Sequence, residues 1–375
     1  MRITSLDAFP ICLPRDLAAA KGTAGSPTTL AGEGRYRWST AYPVLYSTCF
    51  ETALIRVRLE NGLDGWGEAQ APLAPEVACT IAEHLLRPAV VNEQFDGSVA
   101  RIEELWSRMY ATMRVRGQTG GFMLDAISGV DIALWDLAGK LAGKPVSALL
   151  STSPKTRLRA YLSGTHLAKT HADAGFDLIK LYYETDWTAL LQVADALPSQ
   201  MRFAVDALWH LPAAEAESMA RELDARNARW LECPLYPEDI DGHAALSRSI
   251  ETPIAIGESY RTRAELMPFA NIAGVLQPDL GRSGITESMA IAREFNKEIV
   301  PHVSIAMGPQ LAAALHFAAA CDQCNLCEYN PNVVDTANAF LAAKLMINDG
   351  HYDLPAEPGL GIVWNERITE LLGGK

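Results

Sequence analysis

Basic charge is scarce in this sequence. Its 375 residues carry 32 Lys and Arg against 45 Asp and Glu, a formal net charge of −13. That balance argues against non-specific binding to nucleic acid or to anionic membranes, both of which need clustered Lys and Arg. An anionic substrate would need local positive charge. No basic-then-apolar leader opens the chain, since "MRITSLDAFPICLPRD" begins like a strand. The longest apolar-looking stretch, "IAMGPQLAAALHFAAAC", is broken by Gly308, Pro309, Gln310 and His316 and reads as a core helix rather than a membrane span. Seven cysteines need no disulfide framework in a chain this long, so a reducing cytoplasm is the expected compartment. Cys321, Cys324 and Cys327 have the spacing of an iron–sulfur segment, but no fourth cysteine follows at a suitable distance. They read as core thiols.

What is present divides into two characters. Residues 1 to about 70 are β-rich, and Asn61-Gly62 between "ETALIRVRLE" and "LDGWGEA" signals a hairpin. Before it lies a long Gly-, Ser- and Thr-rich connection, about 18–43, which reads as a lid or as disorder. Helical periodicity then takes over to about 150, with Val130, Leu134, Leu137 and Leu141 on one face. After 155, short apolar runs alternate with helical segments: "RLRAYLSG", "FDLIKLY", "MRFAVDA", "RWLECP", "PIAIGE", "GVLQPDL", "EIVPHVS" and "NLCEYN". Eight such runs predict a parallel α/β barrel. A doubly wound open sheet is the alternative, but no glycine-rich nucleotide fingerprint follows any of the runs.

An ionisable residue stands at or near the end of seven of these runs: Lys180, Asp206, Glu232, Glu258, Asp279, His302 and Glu328, at steps of 26, 26, 26, 21, 23 and 26 residues. A barrel delivers every strand's C-terminal end to one face, so these groups would converge on one cavity. A single strand-end acid usually caps a helix or pairs with an arginine. Three on consecutive strands would repel one another unless a cation lay among them. Hard oxygen donors with room for water and substrate suit Mg²⁺ better than Zn²⁺. Asp206, Glu232 and Glu258 are therefore the expected metal ligands.

With these motifs in order, the sequence resembles the enolase superfamily in its mandelate racemase branch. The resemblance runs through "SGVDIALWDLAGK", the lysine of "IKLYY", "AVDA", "WLECP", "AIGES", "LQPDLGRSGITE", "VPHVS" and "PGLGI". It implies an α/β fold: a modified TIM (β/α) barrel over 126–350 beneath an N-terminal α+β capping domain over 1–125. A C-terminal tail, 351–375, would return to the cap. It further implies Mg²⁺ on the three carboxylates and abstraction of a proton α to a carboxylate. Asp279 and His302 resemble the branch's dyad, in which the acid fixes the tautomer and raises the basicity of the imidazole. Lys180 and Glu328 would contact the substrate carboxylate, Glu328 when protonated. Arg282, within "LGRSG", is a further candidate substrate contact.

Two departures matter. The family's usual Lys-x-Lys reads Lys180-Leu181-Tyr182 here, so Tyr182 stands where a second base would be. A phenol with an ordinary pKa near ~10 is a better donor than base at neutral pH, which favours one-base chemistry through His302. A barrel-lining aromatic with no chemical role is the other reading of Tyr182. Two residues after the first metal ligand, where many relatives place a polar residue, stands Leu208; Trp209 and His210 follow, and His210 is a candidate acid or substrate contact, or an ordinary loop histidine. The expected activity is dehydration of an acid sugar. A sugar-lactone or anhydro-sugar cycloisomerase is the alternative, and a ligand-binding relative without turnover is a remoter one. A homo-oligomer is the expected assembly, with neither nucleic-acid nor membrane partners.

Overall fold

The computed structural model describes residues 1–14, 30–40, 42–168 and 174–373. Positions 18–29 and 41 of the expected lid lie outside the described residues. The N-terminal part carries strands β1 (Ile3–Pro14), β2 (Leu30–Ala31), β3 (Tyr36–Ser39), β4 (Leu45–Ser47), β5 (Cys49–Leu59) and β6 (Asp64–Ala69). β5 and β6 form the hairpin that Asn61-Gly62 predicts: Gly62 takes a φ of +84°, and Asn61 Oδ1 accepts from the Leu63 N–H. β1 joins on the far edge of β5 to make an antiparallel sheet. The short strands β2 to β4 form a separate sheet over the described part of the lid.

Helix Gly121–Ala142 links the two halves of the molecule. Its predicted apolar positions Val130, Leu134 and Leu137 are buried, as is most of its circumference. It lies unusually close to β6, because a Cβ on Gly67 would stand 1.9 Å from the Gly129 carbonyl oxygen. Only a residue without a side chain permits that approach. Its acids are tied down from several directions. Asp136, for example, accepts from the backbone N–H groups of Trp66 and Leu360 and pairs with Lys140. The C-terminal segment thus meets the capping sheet. Trp364 packs edge-on to Trp66, and Ile368 and Leu372 join Phe9, Ile11 and Leu54 in a second apolar cluster.

Each of the eight apolar runs contains a strand: β7 (Arg157–Ser163), β8 (Leu178–Tyr182), β9 (Arg202–Asp206), β10 (Leu231–Glu232), β11 (Ile254–Ile256), β12 (Val275–Leu276), β13 (Glu298–Ile299) and β14 (Cys327–Tyr329). Neighbours pair in parallel from β7 to β13. β14 returns to β7, and a bridge between Ile299 and Cys324 joins its approach to β13. That closure makes a barrel rather than an open sheet. Helices such as Trp187–Asp195, Ala216–Asp224, Ile240–Ser249 and Leu280–Glu294 fill the later crossovers, and the described part of the first contains a short 3-10 turn, Thr165–Ala168. Two further strands, β15 (Ile347–Asn348) and β16 (His351–Asp353), add an antiparallel hairpin beside β7. Cys321, Cys324 and Cys327 are buried in the main apolar core. Among the described residues, no helix is long and apolar enough to cross a membrane.

Candidate active site

Alternate side chains of a strand share a face, and this period builds the site. Tyr161, Leu178, Ala204, Trp230, Val275, Val300 and Leu326 form an apolar layer inside the barrel, with Ala255 from β11. Two residues beyond the first seven stand Ser163, Lys180, Asp206, Glu232, Gln277, His302 and Glu328, all buried. Glu258 arrives from three residues beyond Ala255. The polar layer sits directly on the apolar one.

Its contacts are close. Lys180 Nζ lies 2.7 Å from Glu232, 3.1 Å from Glu328 and 3.7 Å from Asp206. Asp206 and Glu232 are register partners on β9 and β10. Glu232 also accepts from Gln277 Nε2 at 2.7 Å and from Trp230 Nε1 at 3.1 Å. Glu258 accepts from Trp209 Nε1 at 2.6 Å and faces His302 Nε2 at 3.0 Å. The other ring nitrogen, His302 Nδ1, is 2.7 Å from Asp279 Oδ2. Glu328 takes the Val303 N–H at 3.0 Å and the Ser163 hydroxyl.

The charges do not balance by themselves. Five carboxylates surround two basic groups, Lys180 and His302. Burial, and then Glu232, push the Asp206 carboxyl well above the usual carboxylate range. Burial works against charge on Lys180 and on His302, yet their acidic neighbours hold both well above their ordinary values. For Lys180 these are Glu232 and Glu328; for His302 they are Glu258 and Asp279. Glu258 is held low by His302 and Lys180 against the opposing effect of its burial.

A divalent cation fits this donor set: hard carboxylate oxygens on three neighbouring strands, with negative charge in excess. Lys180 and His302 engage those oxygens here. Among the described residues, the metal-capable atoms gathered within 4.8 Å of one another belong instead to Cys12, Cys49 and Glu51. Glu51 is spent, because its two oxygens already accept from Arg35 Nε, Arg35 Nη2, Tyr36 Oη and Ser47 Oγ. A carboxylate offers about four lone-pair directions. None is left there for a metal.

The remaining candidates take other positions. Tyr182 is buried with its hydroxyl 2.5 Å from Ser163 Oγ, and burial pushes its phenol well above the ordinary range. Ser163 connects it to Glu328, so Tyr182 touches the lysine side of the site. His210 Nδ1 lies 3.1 Å from Leu208 O and Nε2 3.4 Å from Glu184 O, and a neutral ring donates to only one of these carbonyls. Its ring is sandwiched between Tyr42 at 4.5 Å and Tyr183 at 5.0 Å. Arg282 faces helix Gly121–Ala142, with its guanidinium 3.7 Å from Asp125.

Sequence reasoning passed over Ser163, Gln277, Trp209 and Tyr42. The two-residue offset from the apolar layer would have found Ser163 and Gln277. Trp209 depends on backbone: Leu208 and Trp209 have φ of +51° and +65°, a costly left-handed turn that brings the indole to Glu258. Tyr42 arrives from the lid segment, and no spacing rule predicts its stack. Its hydroxyl meets that of Tyr46, and burial raises the Tyr42 phenol to about 12.

A closed parallel barrel, a capping sheet and a ring of rim carboxylates beside a His–Asp pair define a superfamily. Residues 165–368 match the family model described as enolase C-terminal domain-like, and residues 40–151 match that of the mandelate racemase / muconate lactonizing enzyme N-terminal domain. The chain belongs to the enolase superfamily, in the mandelate racemase/muconate lactonizing enzyme family. D-galactarolactone cycloisomerase from Agrobacterium fabrum is 30% identical over 350 residues, covering 84% of this chain and 90% of that protein. Arabinonate dehydratase from Saccharolobus solfataricus is 29% identical over 344 residues, covering 85% and 90%. The crystal structure of an enolase superfamily member from Agrobacterium tumefaciens superposes with a TM-score of 0.89 at 28% identity, covering 99% of this chain and 98% of the other.

Proposed function

We propose that this protein removes the proton α to the carboxylate of an acid sugar and expels the β-hydroxyl as water. The observation that carries the reading is the imidazole of His302. It is backed by Asp279 at 2.7 Å, turns its other nitrogen to Glu258 at 3.0 Å, and shares the site with the buried ammonium of Lys180. The two relatives named as an acid-sugar dehydratase and a sugar-lactone cycloisomerase support the substrate class.

In this reading Lys180 places its positive charge against the substrate carboxylate, while Glu328, whose carboxyl Lys180 and His302 hold below the ordinary range against its burial, keeps that ammonium in place rather than acting as the protonated donor the resemblance implies. Asp206, Glu232 and Glu258 would hold Mg²⁺, which when bound supplies the positive charge that the developing enediolate needs. A ligand role for Glu258 leaves His302 Nε2 free for the α-proton. Asp279 keeps the Nδ1–H oriented and stabilises the imidazolium that forms. The imidazolium then returns its proton to the departing β-hydroxyl. One C–H and one C–O bond break, water leaves, and the resulting enol ketonises. Tyr42 and Tyr46 lie near enough to Asp206 and Glu258 for those carboxylates, after burial, to raise both phenols.

A second reading is opening of a sugar lactone by the same base. The similarity to D-galactarolactone cycloisomerase supports it, and a lactone's leaving oxygen departs as a carboxylate without needing a proton. A panel of acid sugars and their lactones, incubated with Mg²⁺ and followed by NMR, separates the two. A 2-keto acid formed with loss of water supports dehydration, and ring opening without water loss supports cycloisomerisation. Binding without turnover across the panel would contradict both.

A further inference from the structure

Asp279 is held from both of its oxygens. Oδ2 faces His302, while Oδ1 accepts from the Gly281 backbone N–H at 2.8 Å and from Gln310 Nε2 at 3.0 Å. Gln310 is fully buried, and its own carbonyl oxygen has no hydrogen-bond partner. An orphaned buried acceptor is unfavourable and therefore uncommon. Here it follows from the choice of donor. The reversed amide would press its oxygen against the Asp279 carboxylate, an acceptor against an acceptor.

The neighbouring backbone is shaped around this amide. A Cβ on residue 281 would stand 2.3 Å from Gln310 Oε1 and 2.9 Å from the Gln70 nitrogen. Gly281 is not among the positive-φ glycines, so space rather than conformation requires it. The capping strand grips both partners. Glu68 on β6 accepts from the Gln310 N–H at 3.1 Å and the Met307 N–H at 2.6 Å. The Gln70 N–H donates to the Gly281 carbonyl at 2.8 Å.

We propose that Gln310 is a positioning residue for the His302 base, anchored from the cap by Glu68 and given room by Gly281. The proposal rests on the reading of His302 above. Two donors on Oδ1 fix the plane of the Asp279 carboxylate, so that Oδ2 meets the Nδ1–H and the ring presents Nε2 to the substrate. Removing the amide lets that carboxylate rotate and loosens the ring.

Gln310→Leu keeps the bulk and removes the donor. It should lower kcat roughly 10- to 100-fold, the range for loss of an outer partner of a functional histidine, with KM nearly unchanged. Exchange of the substrate α-proton with D₂O should fall by the same factor. Gln310→Glu sets a second carboxyl against Asp279 and should be worse than leucine, whereas a residue that only fills space would tolerate it. A readout without substrate keeps the proposal separate from the reaction assignment. In ¹⁵N-histidine-labelled protein, the downfield Nδ1–H proton that His302→Asn lacks should move upfield or broaden in Gln310→Leu. Gln310→Met carries the same measurements if the leucine variant does not fold. An unchanged Nδ1–H resonance overturns the proposal, as does an unchanged kcat in an active parent. A parent that turns over no acid sugar, but whose resonance shifts on substitution, overturns only the reaction assignment.

Discussion

Two layers of one barrel, a single strand pleat apart, have opposite chemistry. The lower layer, from Tyr161 and Leu178 around to Leu326, is closely packed and contains no charged group. The upper one holds Lys180, Asp206, Glu232, His302 and Glu328 in nearly the same burial. Burial therefore does not distinguish them; what they bury does. The lower layer gains free energy by leaving water, whereas the upper layer keeps buried charges that are worth more to chemistry than to stability. The packed floor leaves the charged groups little freedom to relax toward one another.

The largest effect should come from the upper layer. Asp206→Ala, Glu232→Ala or Glu258→Ala should each lower turnover by more than about 10³-fold, the several kcal/mol that a bound cation contributes. Circular dichroism should show the fold retained. Normal turnover by EDTA-stripped protein would break the metal half of the comparison. In the lower layer, Leu178→Ala should cost about 2–5 kcal/mol of stability through lost burial and a cavity. The urea midpoint reads this, and kcat at 25 °C should change little. A Leu178→Ala protein with native stability and lost activity would invert the contrast.

A third site sharpens the distinction. Glu68 is fully buried with no cationic partner among the described residues, held by Thr52 and by backbone N–H groups that include those of Met307 and Gln310, and burial raises its carboxyl to about 7. The folded state therefore holds a proton that the unfolded chain, with its ordinary value of 4.5, has released. This group's contribution to stability is full below about pH 4.5 and falls as pH rises to about 7, by roughly 3 kcal/mol. Glu68→Gln should flatten that fall, read as a smaller difference between the urea midpoints at pH 5 and pH 8. An unchanged difference would show Glu68 ionised in the fold. The smallest effect belongs to Tyr182→Phe. Losing one neutral hydrogen bond, about 0.5–1.5 kcal/mol, should slow turnover by about tenfold or less and leave α-proton exchange intact.

Much of this was legible in the sequence for a physical reason. Parallel strands buried on both faces read as apolar runs, and their ends must converge once the barrel closes. Lys180, Asp206, Glu232, Glu258, His302 and Glu328 were found by that logic and do meet. Ser163 and Gln277 were overlooked because they are uncharged, although the same alternation marks them. Arg282 follows Asp279 closely in sequence, but the start of helix Leu280–Glu294 turns it toward Asp125. His210 illustrates the limit most clearly. Its residue type suits acid chemistry, whereas its role depends on a left-handed turn at Leu208 and Trp209 and on a tyrosine from a distant segment. Neither leaves a periodic trace.

The central claim is that His302 alone removes the α-proton. The most direct measurement follows exchange of that proton with D₂O by NMR in His302→Asn, loaded with Mg²⁺ and a substrate that the parent turns over. Loss of a positioned base costs roughly 10²–10⁴ in rate, so exchange and product formation should disappear together. Exchange that persists in His302→Asn and vanishes in Tyr182→Phe would move the base to the opposite face and contradict the account.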